Sequence, residues 1–182
     1  MKVLDLGLES ASPIQIERMG KSKTPERYLS RASKLLEQAC EAGIDVKVNV
    51  LLYAGESHKT IDETYKWLDK HRQYIKGVSV GPVLAFGWDN RKSGFINSLL
   101  SMGATVNDST SFTGVTSFNL SSAINYVDSL RISKEISRDF MTAKDYFDLK
   151  SFSYFSRDYS YSDFIRDIKA ENGSYSFDVS AV

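Results

Sequence analysis

Three apolar segments share one pattern, and this pattern limits the folds open to the chain. They are KVLDLGLE (2–9), DVKVNVLLY (45–53) and VSVGPVLAF (78–86). In each segment aliphatic residues alternate with polar or small ones, so a β-strand would have one aliphatic face and one polar face. An ordinary doubly wound sheet buries both faces, and its strands are continuously apolar. The alternation therefore predicts a parallel sheet with helices on one face only.

Helix signals separate the three strands. The Thr-Pro-Glu run at 24–26 is typical of a helix start, and Gly43 of a helix end. Thr60 and Glu63 match a capping box that starts a second helix. Strands that alternate with helices indicate right-handed βαβ units. We predict an α/β fold in which a partial, TIM-like (β/α) barrel with parallel strands is followed by a mixed, mostly helical C-terminal region.

The remaining segments are assigned more coarsely. The stretch between the first strand and the first helix, SASPIQIERMGKSK, is predicted as a loop. After residue 87 the sequence predicts a short helix, then a Ser/Thr-rich loop or short strands, then a longer helix and an aromatic-rich tail. The tail is expected to pack over the barrel or a partner domain. We predict two parts, 1–86 for the βα units and 87–182 for the C-terminal region.

Composition excludes several classes of function. The 182 residues carry a formal net charge of zero, so a nucleic-acid partner is not expected. No apolar run approaches the roughly 18 residues of a membrane helix, and the first residues lack a signal-peptide layout, so we expect a cytoplasmic protein with no membrane partner. One cysteine, Cys40, excludes an internal disulfide and a cysteine-built metal site. We expect Cys40 in the core and both histidines, His58 and His71, on the surface.

Polar residues on the alternate face point to a function for it. Asp5, Lys47 and Asn49 lie on this face, where they either line a functional lumen or pair with one another in a small polar core. In (β/α) barrels the site lies at the carboxyl ends of the strands. Here those ends carry Glu9-Ser10 and Ala54-Gly55-Glu56.

An ordered set of short motifs resembles the second half of a radical S-adenosylmethionine (SAM) barrel. Gly7-Leu8-Glu9-Ser10 resembles the fourth strand of the branch that includes oxygen-independent coproporphyrinogen oxidases and cobalamin-domain radical SAM enzymes. Arg18-Met19-Gly20-Lys21 resembles the loop that follows, and Ala42-Gly43 the end of the next helix. Tyr53-Ala54-Gly55-Glu56-Ser57 resembles the end of the fifth strand, although the family usually has Gly and Pro where this chain has Tyr53-Ala54. The resemblance covers roughly residues 3 to 86.

The resemblance implies part of a SAM site. Glu9 and Ser10 match positions that contact the methionine or ribose part of SAM, and Arg18 and Lys21 would supply cations to its carboxylate. The segment 48–56, which includes Asn49, Gly55 and Glu56, would lie along the adenine. The alternatives are a helix-entry carboxylate for Glu56 and solvated loop charges for Arg18 and Lys21. No catalytic residue or metal ligand is assigned.

The resemblance also implies that the chain acts with a partner. The family holds a 4Fe–4S cluster with a C-x-x-x-C-x-x-C motif, and this sequence contains no such motif. We therefore expect a fragment or subunit that is inactive alone, binds no cluster, and completes its barrel with a missing N-terminal half-barrel or by self-association. The first strand would either self-associate or be covered by the chain's own C-terminal aromatic segment, 146–164. The alternative is a non-catalytic binding or assembly module on a half-barrel scaffold. The sequence does not identify the substrate, which is a small molecule or a peptide.

Overall fold

The computed structural model describes residues 2–87, 94–151, 154–171 and 173–182. The elements, in chain order, are β1 Val3–Glu9, α1 Pro13–Arg18, α2 Pro25–Glu41, β2 Asp45–Leu52, α3 His58–Lys70, β3 Gly77–Pro82, β4 Leu84–Phe86, α4 Gly94–Ser101, β5 Thr105–Val106, β6 Val115–Asn119, α5 Tyr126–Asp139, α6 Ala143–Lys150 and α7 Tyr161–Glu171. The described residues thus form a mixed α/β structure with seven α-helices. No helix among them is long and apolar enough to span a membrane.

The first three strands form a parallel sheet in the order β1-β2-β3. Its aliphatic face carries Val46, Val48 and Val78, which are buried in one core with Leu36 of α2 and Leu68 of α3. Both crossover helices therefore pack on the aliphatic face, as the alternation predicts. The α/β class and the parallel sheet are confirmed, while closure into a partial barrel stays a prediction.

The chain leaves this sheet earlier than the sequence suggests. The predicted strand VSVGPVLAF is divided, because β3 ends at Pro82 and β4 begins at Leu84. The β4 strand pairs antiparallel with β6, and β6 pairs antiparallel with β5. The prediction of one continuous strand over 78–86 was therefore wrong. At Val83 the backbone N–H still bonds to the Leu52 carbonyl at 2.9 Å, so the division comes directly after the parallel pairing.

Helix α5 lies beside β3 and closes one edge of the parallel sheet. Its buried side chains include Ser129, Ser133 and Ser137, which recur every four residues and allow a close approach to the strand. The Ser137 hydroxyl accepts a hydrogen bond from the backbone N–H of Val80 at 3.1 Å. The Ser137 hydroxyl of α5 therefore provides an acceptor for the Val80 N–H, which lies at the edge of β3 and does not bond to β2.

The hydrophobic residues form two separate clusters. The larger contains both the sheet and later elements, with Leu99, Phe118 and Ile136 buried beside the strand residues. The smaller is aromatic-rich and contains Phe164 and Phe177. Residues from both sides of position 86 pack together in the larger cluster. The division into parts 1–86 and 87–182 stays a prediction.

The aromatic-rich tail reaches the polar face of the parallel sheet. A side chain on Gly77 would collide with Leu149 of α6 and with Met141, at 2.8 and 2.9 Å from the added carbon. Gly77 has the same orientation as Ser79 and Lys47, so α6 touches the face opposite α2 and α3. The prediction of helices on one face only therefore holds for α2 and α3 and was wrong for the C-terminal region. Residues 152 and 153 of the tail lie outside the described residues.

Several local expectations were also wrong. The predicted loop 10–23 contains α1, which begins with Pro13 at its first position. The capping box of α3 is formed by Ser57 and Thr60, not by Thr60 and Glu63. Cys40 is exposed because it lies at the edge of the apolar stripe of α2. His71 is buried, and its Nδ1 lies 2.7 Å from the Trp67 carbonyl.

The bond between α5 and β3 can be tested by substitution. Ser137→Ala leaves the Val80 N–H without its acceptor, and we expect the free energy of unfolding to fall by about 1–3 kcal/mol in urea titrations. Ser133→Ala is the matched control, because the Ser133 hydroxyl donates only to the Ser129 carbonyl of its own helix. Its effect should stay within about 0.5 kcal/mol. Equal losses in the two variants would contradict the role of the Ser137 acceptor.

Candidate functional site

The first strand ends in an irregular backbone that positions Glu9. The register with β2 shifts between Gly7 and Glu9, which is a β-bulge. Among the described non-glycine residues Glu9 alone has a positive φ, of 63°. Such conformations cost roughly 1–3 kcal/mol and cluster at functional sites. This backbone folds the Glu9 carboxylate back over Gly7, where an added Cβ would lie 2.9 Å from Oε1.

Tyr28 of α2 holds the bulge. Its hydroxyl donates to the backbone carbonyls of Gly7 and Leu8, at 3.2 and 2.9 Å. Burial, followed by the nearby charge of Glu9, raises the pKa of the Tyr28 hydroxyl, so it stays a donor. The strained end of β1 is therefore fixed from the aliphatic side by a neutral side chain.

Glu9 and Lys21 form an ion pair at the carboxyl end of β1. The Lys21 Nζ lies 3.3 Å from Glu9 Oε1, and both side chains are partly exposed. Lys21 stands just beyond α1, whose final turn is closed by the Lys21 N–H donating to the Ile16 carbonyl at 3.0 Å. One carboxylate and one ammonium group are thereby presented side by side next to the polar face.

Arg18 and Gly55 connect the ends of β1 and β2. The Arg18 guanidinium donates to the Gly55 carbonyl at 2.8 Å. Gly55 has a φ of 76°, and an added Cβ would lie 2.6 Å from Arg18 and 3.0 Å from the Met102 carbonyl. The Gly55 N–H donates to the Leu120 carbonyl at 2.7 Å. Groups of the chain itself therefore occupy both backbone polar groups of Gly55.

Ser10 faces inward and joins the β1 loop to α3. It is buried, its hydroxyl lies 3.1 Å from that of Thr64, and it accepts from the Ser12 N–H at 3.1 Å. The Ala11 N–H also donates to the Thr64 hydroxyl. Ser10 thus stabilises the loop that carries Glu9 and does not lie on the polar face.

Glu56 is buried in the turn that leads into α3. Its side chain is 3% exposed, accepts from the Thr60 hydroxyl, and lies 3.4 Å from the Tyr53 N–H. Burial raises the pKa of the Glu56 carboxyl, against the opposing effects of Thr60, Tyr53, Gln15 and the Arg18 charge. Gln15 is fully buried, and although it faces Glu56 neither of its amide atoms forms a hydrogen bond of normal geometry.

Asn49 lies on the polar face in the middle of β2, away from the carboxyl ends of the strands. Its Nδ2 is 3.5 Å from Asp5 Oδ1, and the ammonium group of Lys47 is 2.8 Å from the same oxygen. The Lys47 hydrogen bond, with its charge, lowers the pKa of the Asp5 carboxyl. Asp5 and Lys47 thus pair with each other, but Asp5 is largely exposed, so the pair does not form the small polar core that was one of the two alternatives.

The structure thus brings some of the predicted site residues together and separates others. Glu9 lies with Lys21, and Arg18 lies with Gly55 near Glu56, whereas Asn49 belongs to the Asp5–Lys47 group. The sequence analysis missed Thr64, whose hydroxyl bonds to the loop after β1, and Gln15, which is buried beside Glu56. Ser12 followed by Pro13 could have indicated α1 and hence the inward position of Gln15. Assignment of these residues to a SAM site stays a prediction.

No group of three or more His, Cys, Asp or Glu side chains suited to a metal ion occurs within the part of the chain that the structure describes. No family model matches the sequence, and no curated protein matches it significantly.

The buried carboxyl of Glu56 makes a pH-dependent prediction. Because its folded-state pKa lies above the ordinary value of 4.5, its contribution to stability is complete below that pH and is lost as the pH rises through the folded-state pKa. Glu56→Gln carries no titrating proton. Its free energy of unfolding should therefore rise relative to wild type across this window, by at most about 1.4 kcal/mol for each pH unit.

Urea unfolding at closely spaced pH values measures this difference. Glu26→Gln is the control, since Glu26 is an exposed carboxylate in the first turn of α2. The difference in free energy of unfolding between Glu26→Gln and wild type should not grow in this way above pH 4.5. If the difference in free energy of unfolding between Glu56→Gln and wild type does not change with pH, then burial does not raise the pKa of Glu56.

Proposed function

We propose that this chain supplies the later βα units of a radical SAM barrel and that Glu9 and Lys21 bind the methionine part of SAM. A barrel of this kind has parallel strands in sequence order, helices outside, and a site at the carboxyl ends of the strands. The β1-β2-β3 order and the packing of α2 and α3 on the aliphatic face support one segment of such a barrel, whereas α6, which touches the opposite face at Gly77, does not fit this pattern. The motifs in residues 3 to 86 supply the family assignment.

The Glu9–Lys21 pair is the observation that carries the proposal. An amino acid presents an ammonium group and a carboxylate on one carbon, and the complementary site has one group of each sign close together. Glu9 and Lys21 lie 3.3 Å apart and remain partly exposed. Charge-assisted hydrogen bonds to both would replace their mutual contact. The bulge and the positive φ of Glu9 put its carboxylate on the polar face, where a ligand in the lumen would lie.

SAM would supply the radical chemistry, after reductive cleavage by a 4Fe–4S cluster. The residues of this chain would bind and orient its methionine part. The single cysteine, Cys40, is exposed on α2, so we assign the cluster to βα units that this sequence does not contain. Those units would come from a complementary half-barrel, and a second copy of this chain is the alternative source of closure. No substrate is assigned.

A non-catalytic assembly module is the second candidate, and one observation favours it. The N–H and carbonyl of Gly55 are bonded to Leu120 and Arg18, so the backbone expected along the adenine is already occupied within the chain. A scaffold that binds no nucleoside would tolerate this arrangement. Binding of SAM by the chain separates the two candidates.

Titration with SAM tests the proposal. We expect SAM to shift backbone amide signals near Glu9 and Lys21 in two-dimensional NMR, with saturation. Glu9→Gln removes the partner of the ligand ammonium group and should weaken binding by roughly 10- to 100-fold, the range of a hydrogen bond to a charged group.

Glu17→Gln is the matched control, because Glu17 is an exposed carboxylate on α1. Its affinity for SAM should equal that of wild type. Absence of saturable shifts in the wild-type chain, or equal affinities for Glu9→Gln and wild type, would favour the assembly module.

Within the described ranges no strand pairs with the outer edge of β1, and this edge makes a second prediction. The Asp45 N–H donates to the Lys2 carbonyl, so by alternation the polar groups of Val3 face away from β2. Unpaired edges invite pairing with another strand. We expect a concentration-dependent dimer in sedimentation equilibrium, and Val3→Pro should shift it toward monomer by removing one edge donor.

Val3→Thr is the control, because it keeps the backbone donor and a β-branched side chain. It should dimerise as the wild type does. A chain that stays monomeric at all concentrations would exclude pairing between copies through β1.

A further inference from the structure

A cleft opens on the polar face at the end opposite Glu9 and Lys21. Its volume is about 360 Å³, and its lining residues are Val3, Asp5, Lys47, Leu149, Lys150 and Tyr154. Strands β1 and β2 form its floor and the C-terminal aromatic region forms one wall. Two ammonium groups face one carboxylate, which leaves the cleft with a net positive charge.

Lys47 has capacity for another acceptor. Its side chain is only 14% exposed, and its ammonium group forms an ion pair with Asp5 at 2.8 Å. An ammonium group has three donors, and a partly buried charge is stabilised when they are satisfied. Asp5 itself is largely exposed. An anion in the cleft would therefore compete with Asp5 for Lys47.

Lys150 and Tyr154 form the opposite side. The Lys150 Nζ lies 4.2 Å from the centre of the Tyr154 ring, and the charge of Lys150 helps to lower the pKa of the Asp5 carboxyl. The Tyr154 side chain is 72% exposed, so its ring is open to a flat partner. Val3 and Leu149 add apolar surface beside the charged groups.

We infer that this cleft binds a small planar compound that carries a carboxylate or phosphate group. The anionic group lies between Lys47 and Lys150, and the ring lies against Tyr154. The site is separate from the Glu9–Lys21 pair, so it does not depend on SAM binding. Aromatic stacking and charge-assisted hydrogen bonds are each sufficient to give measurable selectivity.

Four probes test the recognition chemistry by two-dimensional NMR of the full chain. Phenyl phosphate and benzoate combine a ring with an anion, inorganic phosphate has the anion alone, and phenol has the ring alone. We expect saturable shifts at Val3, Asp5, Lys47 and Leu149 with at least one of the two combined probes. Inorganic phosphate and phenol should bind at least about tenfold more weakly, because each lacks one of the two contacts. The stronger combined probe identifies the acid group that the cleft prefers.

Substitutions with opposite expected effects locate the site. Lys150→Gln should weaken binding of the combined probe by about tenfold, whereas Asp5→Asn should strengthen it at least about threefold by removing the competing carboxylate. Lys59→Gln is the control, since Lys59 is a highly exposed lysine on α3 away from the cleft. Circular dichroism checks that each variant is folded.

Three outcomes would overturn the inference. They are absence of saturable shifts in the cleft with both combined probes, an affinity for inorganic phosphate or phenol equal to that for the stronger combined probe, and equal weakening by Asp5→Asn and Lys150→Gln. A folded Lys150→Gln variant that binds as wild type does would overturn it as well.

Discussion

The gathering of the aliphatic side chains on one face of the parallel sheet is the constraint on which the rest of the structure depends. Side chains alternate along each strand, so placing Val48 and Val78 beneath α2 and α3 forces Asn49 and Ser79 to the other side. That side is then left with polar groups, and these pair with one another or meet the C-terminal region. The ion pairs, the cleft and the exposed end of β1 all follow from this division of the sheet.

The elements that follow from local sequence could be predicted, and those that depend on distant contacts could not. Alternation located β1 and β2, and the Thr-Pro-Glu run located α2, because these signals act within one element. The departure of the chain at Val83 depends on pairing with β6, more than 30 residues later, and no local signal marks it. The burial of His71 depends on its stacking against Trp67, at 4.2 Å between ring centres.

The candidate site shows the same limit. Motif spacing brought Glu9 and Lys21 into one prediction, and they lie together. Residue type alone could not tell that Glu56 turns inward, since a carboxylate at a helix entry is usually solvated. Its carboxylate accepts hydrogen bonds from the hydroxyl of Thr60 and the backbone N–H of Tyr53. Buried polar networks of this kind are specified by three-dimensional contacts, which a sequence pattern does not contain.

The two hydrophobic clusters are separate, and this separation affects local unfolding. Leu149 and Met141 of the aromatic cluster around Phe164 cover Gly77 of the parallel sheet. Cooperative units with few shared contacts open at different free energies, and amide hydrogen exchange reports each separately. We therefore expect the amides of α6 and α7 to exchange through a partial opening that leaves β2 protected, as two foldons of unequal stability would.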